Sequence, residues 1–146
     1  MKRFLLSSVF PVTVGIIIGW LANSYFGREG VQYQFNEAAS RGDVRHMERL
    51  ISYGADPLAS PFFKGPNDYG FPAITFAASS CEPNAVKFLL SKGADPNFLS
   101  ATETPLDLAF YKQKDVEEVI KILRENGGKT LAELYKKDKE QDSLKK

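Results

Sequence analysis

The chain has 146 residues, of which 43% are hydrophobic, and its formal net charge is +1. This length allows one modest folded domain with additional segments, and the balanced charge lacks the concentrated basic field that binding to a phosphate backbone needs. We therefore expect no nucleic-acid partner, and the single cysteine, Cys81, excludes an internal disulfide.

The first predicted element is an N-terminal helix without charged residues. Between Arg3 and Arg28 lie 24 uncharged residues, FLLSSVFPVTVGIIIGWLANSYFG, and about 20 apolar residues are enough for a helix to cross a bilayer. Lys2 and Arg3 precede this segment, which favours a cytoplasmic N-terminus. We predict a single-pass membrane anchor at Phe4–Phe26, within residues 1–30, and repeats on the periplasmic or extracytoplasmic side.

Other interpretations of this segment remain open. Ala22 and Ser24 are small residues at the spacing that a signal peptidase accepts, so cleavage near Ser24 would give a secreted or periplasmic protein. A buried helix that never meets a membrane is a further alternative. Gly15 and Gly19 form a G-x-x-x-G pattern, which lets two membrane helices approach closely and predicts self-association through this face.

A repeated pattern follows the N-terminal segment. Gly-Ala-Asp-Pro occurs at 54–57 and again at 93–96, each time 15 residues after an Ala-Ala pair. Apolar residues at helical spacing lie between the alanines and the glycine. A third copy begins with TPLDLAF at Thr104, and Gly127 takes the place of the glycine. Each unit predicts a helix with small residues, a turn, an aliphatic helix and a glycine C-cap.

The residues at the ends of these helices have local roles. Glycine adopts the left-handed backbone conformation at little cost, while Asp bonds the backbone of the next turn and Pro fixes φ. Asp56 and Asp95 are therefore predicted to be turn residues rather than a metal or catalytic pair. Leu89 and Leu106 occupy the most regular positions of the best copies, and we expect both to be buried between repeats.

The stretches PAITFAA, VKFLLSKGADPN and TPLDLAF resemble the ankyrin repeat, whose usual pattern is T-P-L-H-x-A followed by V-x-L-L-L-x-x-G-A-D-x-N. The resemblance covers residues 31–129. It implies an all-α ankyrin-repeat solenoid of helix-turn-helix units, preceded by a single transmembrane helix. The repeats are expected at about 31–60, 71–100 and 101–130, followed by a charged C-terminal helix or tail at 131–146.

The two outer copies depart from the family pattern. Glu37 stands where the family places a leucine, and Asp107 replaces the histidine of the third copy. Such departures are typical of terminal repeats, which expose one side and must cap the stack.

No arrangement of residues predicts catalysis. His46, the only histidine, and Cys81 belong to different repeats, and no third group is placed to orient them as a nucleophilic pair. The sequence contains no glycine-rich phosphate loop and no cysteine–histidine spacing for a metal. We predict a protein that is not an enzyme and that uses no cofactor or metal.

The irregular feature is the connection Pro57–Pro72, PLASPFFKGPNDYGFP, which is about six residues longer than the next one. The family resemblance implies that such connections lie beside a concave face where partners bind, and exposed aromatic side chains commonly anchor interfaces. The alternative is that these rings pack on the stack, which would leave the concave side of the first helices for the partner. The candidate partner-binding residues are Phe62, Phe63, Tyr69, Phe71, Asn36, Thr75 and Asp107.

Together these features predict a membrane-tethered ankyrin-repeat module that binds a protein partner. One alternative is a structural or assembly subunit of a membrane complex. Another is an accessory or inhibitor of a partner enzyme that inserts the Pro57–Pro72 connection into a cleft.

Overall fold

The computed structural model describes residues 27–59, 71–100, 102–111 and 116–136. In these ranges the chain is helical and contains no strand, only an isolated bridge between Ser100 and Glu103. The predicted all-α fold is therefore confirmed. The helices are α1 Arg28–Ser40, α2 Val44–Ser52, α3 Ala73–Ser79, α4 Pro83–Ser91, α5 Pro105–Phe110 and α6 Val116–Glu125, with a short α7 at 131–136.

The predicted membrane anchor, Phe4–Phe26, lies outside the described residues. Within the part of the chain that the structure describes, no helix is both long enough and apolar enough to cross a bilayer.

Consecutive helices pair as α1–α2, α3–α4 and α5–α6, and the three pairs stack side by side. The first helix of each pair contacts the first helix of the next, so α1, α3 and α5 form one layer, which we call the inner helices. The second helices, α2, α4 and α6, form the outer layer. This arrangement is the predicted series of helix-turn-helix units.

Small and aliphatic side chains fill the space between the units. Alanines on the inner helices are almost fully buried, which lets neighbouring helices approach closely. Leu89 and Leu106 are 0% exposed, so their predicted burial is confirmed. The alanines concerned are Ala38, Ala39, Ala77, Ala78 and Ala109.

The outer helices end at glycines with a left-handed backbone, as predicted. Gly54, Gly93 and Gly127 have φ values of 98°, 94° and 83°, a region that other residues enter at a cost. The aspartates that follow the first two glycines bond the next turn. Asp56 Oδ1 accepts a hydrogen bond from the Leu58 amide at 2.9 Å, and Asp95 Oδ1 accepts one from the Asn97 amide at 2.8 Å.

The turn within each of the first two helix pairs also needs a positive φ. Gly42 meets this need between α1 and α2, with φ at 69°, whereas Cys81 adopts a φ of 59° between α3 and α4. The cysteine is 9% exposed, and its Sγ lies 3.9 Å from the carbonyl oxygen of Ala109 in the next repeat. Cys81 is therefore a packing residue in a position whose backbone geometry suits glycine.

An ion pair joins the last described helix, α7, to α6 at the end of the stack. Arg124 donates to both carboxylate oxygens of Glu133, at 2.6 and 3.0 Å. This hydrogen bonding, together with a bond from the Thr130 amide, lowers the pKa of Glu133 to about 2. The Glu133 amide donates back to Thr130 Oγ1 at 3.3 Å, so the two residues form a capping box.

Candidate functional site

The outer helices present a mixed, charged surface. Ion pairs join Lys87 to Glu118 at 2.8 Å and Lys121 to Glu125 at 3.9 Å, and all four side chains are more than half exposed. Alternating charges of this kind are typical of a solvated helix face. The other charged residues of these helices are Arg45, Glu48, Arg49, Glu117 and Arg124.

The inner helices carry far fewer charges and expose large rings. Helix α3 contains no charged residue, and α5 contains only Asp107. Tyr33 on α1 is 64% exposed, and Tyr111 at the end of α5 is 72% exposed. The charges of the inner layer are therefore concentrated on α1, which carries Arg28, Glu29 and Glu37, whereas α3 and α5 are only weakly charged.

One surface position recurs on each inner helix. Phe76 and Leu108 are the fourth residues of α3 and α5, and each directly precedes a buried alanine. Glu37 precedes the buried Ala38 in the same way on α1. All three side chains are half-buried. Equivalent positions on packed helices lie about 8–10 Å apart, so these side chains form a row. We call the surface around this row the inner face and define it by Tyr33, Glu37, Arg41, Phe71, Phe76, Ser80, Glu103, Leu108 and Tyr111.

The structure places the predicted inner-helix residues one position before this row. Thr75 is 3% exposed, and its hydroxyl donates to the Pro72 carbonyl oxygen at 2.7 Å. Asn36 is 7% exposed, and its Oδ1 accepts from Gln32 Nε2 at 3.4 Å. Both side chains therefore lie inside the stack, beneath the surface that a partner would reach.

Asp107 is half-buried and closes the start of α5. Its Oδ2 accepts hydrogen bonds from the Thr104 amide at 3.0 Å and from Thr104 Oγ1 at 2.8 Å. The same oxygen accepts from the Leu131 amide at 2.9 Å, which ties α7 to the third repeat. The carboxylate thus has a capping role and also borders the inner face.

Of the predicted residues in the long connection, Phe71 is described. Its ring is half-buried and meets Phe76 edge-on, with centroids 6.4 Å apart and an angle of 65° between the planes. The structure therefore brings the end of the connection onto the inner face. Phe62, Phe63 and Tyr69 lie outside the described residues.

The third repeat has a different contact at the equivalent place. Glu103 directly precedes the first residue of its capping box, as Phe71 directly precedes the N-cap Pro72 of α3. The Glu103 carboxylate lies beside the Tyr111 hydroxyl, and its acceptor oxygens and negative charge raise the pKa of Tyr111. Where the second repeat pairs two apolar rings, the third pairs a carboxylate with a phenol.

The two residues considered for catalysis, His46 and Cys81, lie on different repeats. His46 is half-buried on α2, with its Nδ1 3.5 Å from Arg49 Nη2, and Cys81 is buried in the α3–α4 turn. No group of three or more potential metal ligands occurs among the described residues.

Sequence reasoning missed Phe76, Glu103 and Tyr111 as surface candidates. A usable signal was present for Phe76, because it is an aromatic residue on the first helix of the second repeat, directly after the predicted residue Thr75. No comparable signal existed for Tyr111, since its exposure depends on α5 ending at Phe110.

The repeats match a family model. The model for ankyrin repeats (three copies) matches residues 35–134. The chain is also 27% identical over 104 residues to NAD-capped RNA hydrolase NUDT12 of Homo sapiens and of Macaca fascicularis, which covers 70% of this chain and 21% of each relative. It is 32% identical over 89 residues to Ankyrin repeat, SAM and basic leucine zipper domain-containing protein 1 of Echinops telfairi, covering 61% of this chain and 17% of that relative. The chain thus spans about a fifth of the length of these curated relatives.

Proposed function

Since this chain belongs to the ankyrin-repeat family, we propose that it is a protein-interaction module whose partner docks on the inner face. The observation that carries this proposal is the contrast between the two layers. The outer helices carry mixed charges, whereas the inner helices expose Tyr33 and Tyr111 beside the half-buried Phe76 and Leu108. Exposed aromatic side chains are the residues that most often anchor protein interfaces.

The mechanism is recognition by a rigid surface. The buried alanines fix the backbones of the inner helices, so little backbone entropy is left to lose on binding. No bond is made or broken in this mechanism, and the chain needs no cofactor for it.

The test starts from a partner identified by crosslinking in intact cells. Tyr111→Ala should weaken partner binding by about 1–2 kcal/mol, because a truncated interface anchor loses its contact area. Tyr53→Ala is a matched control, since Tyr53 follows the outer helix α2 and is 71% exposed, close to the 72% of Tyr111. Equal losses from the two variants, or no loss from Tyr111→Ala and Phe76→Ala, would overturn the proposal.

We further propose that Phe4–Phe26 tethers this module to a membrane, with the N-terminus in the cytoplasm and the repeats on the other side. The 24 uncharged residues after Arg3 support this topology. A reporter that is active only outside the cytoplasm, fused after Lys146, should be active, and the protein should stay in membranes after alkaline extraction. A soluble species that begins near Tyr25 would support cleavage near Ser24 instead.

Self-association of this anchor is a secondary proposal, supported by the G-x-x-x-G spacing of Gly15 and Gly19. Replacing both glycines by leucine should abolish crosslinking between copies in membranes and leave membrane retention unchanged. Crosslinking that survives the double substitution would remove this role.

We also propose that the chain has no catalytic activity. The words "RNA hydrolase" in the relatives' name describe proteins of which this chain matches about a fifth. Purified chain incubated with NAD-capped RNA should therefore release no product. Product release that is lost in His46→Ala would contradict the proposal.

The two alternative functions make different predictions. If the chain is an accessory or inhibitor of an enzyme through Pro57–Pro72, then Phe62→Ala or Phe63→Ala should weaken binding and Tyr111→Ala should not. If it is an assembly subunit, the complex should depend on Gly15 and Gly19 and should tolerate Tyr111→Ala.

A further inference from the structure

The short helix α7 bridges the inner and outer helices of the third repeat. It has only six residues, 131–136, and a helix of this length is not stable by itself in water. Leu131 and Leu134 are half-buried, whereas the other side chains of α7 are exposed. Helix α7 therefore depends on the contacts that hold it to α5 and α6.

On the inner side, α7 is held by Asp107 of α5. The Leu131 amide, at the first position of α7, donates to Asp107 Oδ2 at 2.9 Å. The same oxygen accepts from the Thr104 amide at 3.0 Å and from Thr104 Oγ1 at 2.8 Å. Thr104 is 0% exposed and is the N-cap of α5. One carboxylate oxygen therefore serves both the cap of α5 and the start of α7.

On the outer side, α7 is held by Arg124 near the end of α6. Arg124 donates to both carboxylate oxygens of Glu133, and its Nη1 also donates to the Gly128 carbonyl oxygen at 3.3 Å. The hydrogen bond to Glu133 raises the pKa of Arg124, and the negative charge of Asp107 adds to this to a smaller extent. The Thr130 amide donates to Glu133 Oε2 at 2.8 Å. We call these contacts of Asp107, Arg124, Thr130 and Glu133 the α7 latch.

The latch acts on the inner helix that carries Leu108 and Tyr111 to the inner face. Helix α5 has six residues, and it is the only described inner helix whose N-cap side chain accepts a hydrogen bond. The Leu108 amide donates to the Thr104 carbonyl oxygen at 3.0 Å, and the Tyr111 amide donates to the Leu108 carbonyl oxygen at 3.3 Å. Successive hydrogen bonds therefore connect the capped start of α5, which the latch contacts, with the two surface residues.

We propose that the α7 latch regulates docking: when closed it holds α5 in the position that the partner recognises, and its opening weakens docking at the third-repeat end of the inner face. Opening breaks the Asp107–Leu131 hydrogen bond and the Arg124–Glu133 ion pair, whose side chains are 40% and 45% exposed. A partner that docks beside Tyr111 closes the latch in turn, because coupling between two sites is reciprocal. This inference rests on the proposed function, since it specifies the regulation of that same face.

The first test measures amide hydrogen exchange by NMR on the full chain in detergent micelles. Leu131→Pro removes the amide that Asp107 accepts, and proline is tolerated at the first position of a helix. Leu131→Ala is the matched reference, because it removes the same side chain and keeps the amide. The Leu108 amide should exchange about two- to tenfold faster in Leu131→Pro than in Leu131→Ala, the range expected from one net hydrogen bond. Equal rates of Leu108 exchange in the two variants would overturn the inference.

The outer side of the latch is tested with a pair of glutamates. Glu133→Gln removes the charge that Arg124 binds, and the Leu108 amide should exchange up to about fivefold faster, as for the loss of one exposed ion pair. Glu125→Gln is the control, since Glu125 is 61% exposed on α6 and pairs with Lys121 of the same helix. It should leave Leu108 exchange unchanged, and equal acceleration by both variants would contradict the latch.

An internal reference separates opening of the latch from general loosening. The Val86 amide of α4 donates to the Glu82 carbonyl oxygen at 3.0 Å, in the second repeat. Its exchange rate should be the same in all four variants and in the unchanged chain. Acceleration of Val86 as large as that of Leu108 would overturn the inference, because the whole stack would then have loosened.

The second test uses the partner identified by crosslinking in intact cells. Leu131→Pro should bind it at least twofold more weakly than Leu131→Ala does, and saturating partner should slow exchange of the Leu131 amide in the unchanged chain. A partner that needs Tyr111 but shows neither effect would overturn the inference and leave the proposed function intact. A partner that needs neither Phe76 nor Tyr111 would overturn the proposed function, and the inferred regulation with it.

Discussion

At the junction between the second and third repeats, both the inner and the outer helices pack against each other, whereas α2 and α4 make few contacts at the junction between the first and second. Asn97 adds a tie at the second junction, because its side chain donates to the Gly127 carbonyl oxygen at 3.1 Å and accepts from the Lys129 amide at 2.7 Å. Leu58 takes the place of Asn97 in the first repeat and is 49% exposed.

In the first repeat, by contrast, a polar side chain bonds a residue of the same repeat. Gln32 on α1 accepts a hydrogen bond from the Asp56 amide at 3.0 Å, which closes the first repeat on itself. In a stack of repeats, stability is approximately the sum of the repeats and of the interfaces between neighbours. The comparison therefore indicates that the first junction depends mainly on its inner helices, whereas the second also uses its outer helices.

The largest predicted effect concerns the inner layer, which both junctions share. Leu106 on α5 and Ile74 on α3 are the second residues of their helices and are 0% and 1% exposed. Truncating either to alanine should lower the free energy of unfolding by about 2–5 kcal/mol, the usual cost of deleting a packed aliphatic side chain. Urea denaturation monitored by circular dichroism would measure both values.

The control for this pair is Leu99→Ala, since Leu99 is 47% exposed and should cost less than about 0.5 kcal/mol. Losses below about 1 kcal/mol for both buried residues would contradict the packing described above. A small loss for Ile74 alone would mean that the junctions differ in the inner layer as well.

The regular parts of this comparison were predictable from the sequence. The burial of Leu89 and Leu106 and the positive φ of the glycines could be predicted. Both depend on helical periodicity and turn chemistry, which act over a few neighbouring residues. The sequence shows that Asn97 follows the second Gly-Ala-Asp-Pro, but it does not show which groups Asn97 bonds. They lie about 30 residues away, in a turn whose position depends on how the third repeat stacks.

The surface residues were less predictable for a geometric reason. One position along a helix corresponds to about 100° of rotation, so an error of one residue exchanges a buried position for an exposed one. Asn36 and Thr75 lie inside the stack, whereas Glu37 and Phe76, the next residues, border the inner face. The sequence identified the correct helices, and the rotation of each helix followed only from its packing.

The second prediction removes the Asn97 hydrogen bonds at the second junction. Asn97→Ala should cost about 0.5–1.5 kcal/mol, because the partly solvated Gly127 carbonyl and Lys129 amide each lose a partner. Amide hydrogen exchange of Lys129 should accelerate at the same time. Asn84→Ala is the control, since Asn84 is exposed on α4. Unchanged exchange at Lys129 would show that the tie contributes little to this junction.

The third prediction transfers these hydrogen bonds to the first junction. In Leu58→Asn, the counterparts of the groups that Asn97 bonds are the Gly93 carbonyl and the Asp95 amide. We expect a gain of about 0.5–1.5 kcal/mol, the usual net value of an added hydrogen bond. Leu58→Ala provides the reference, because it removes the same exposed side chain without adding a donor. Equal stability of the two variants would mean that the loops at the first junction lie too far apart for this bond.

The smallest predicted effect concerns the outer layer. Lys87 on α4 and Glu118 on α6 form an ion pair across the second junction at 2.8 Å, with side chains 54% and 58% exposed. A double-mutant cycle with Lys87→Met and Glu118→Gln should give a coupling energy of about 0.2–1 kcal/mol, which added salt should reduce. The Lys121–Glu125 pair lies within α6 at 3.9 Å, so it crosses no junction and should give a smaller value. A coupling between Lys87 and Glu118 no larger than that of the control pair would mean that apolar packing alone joins the outer helices.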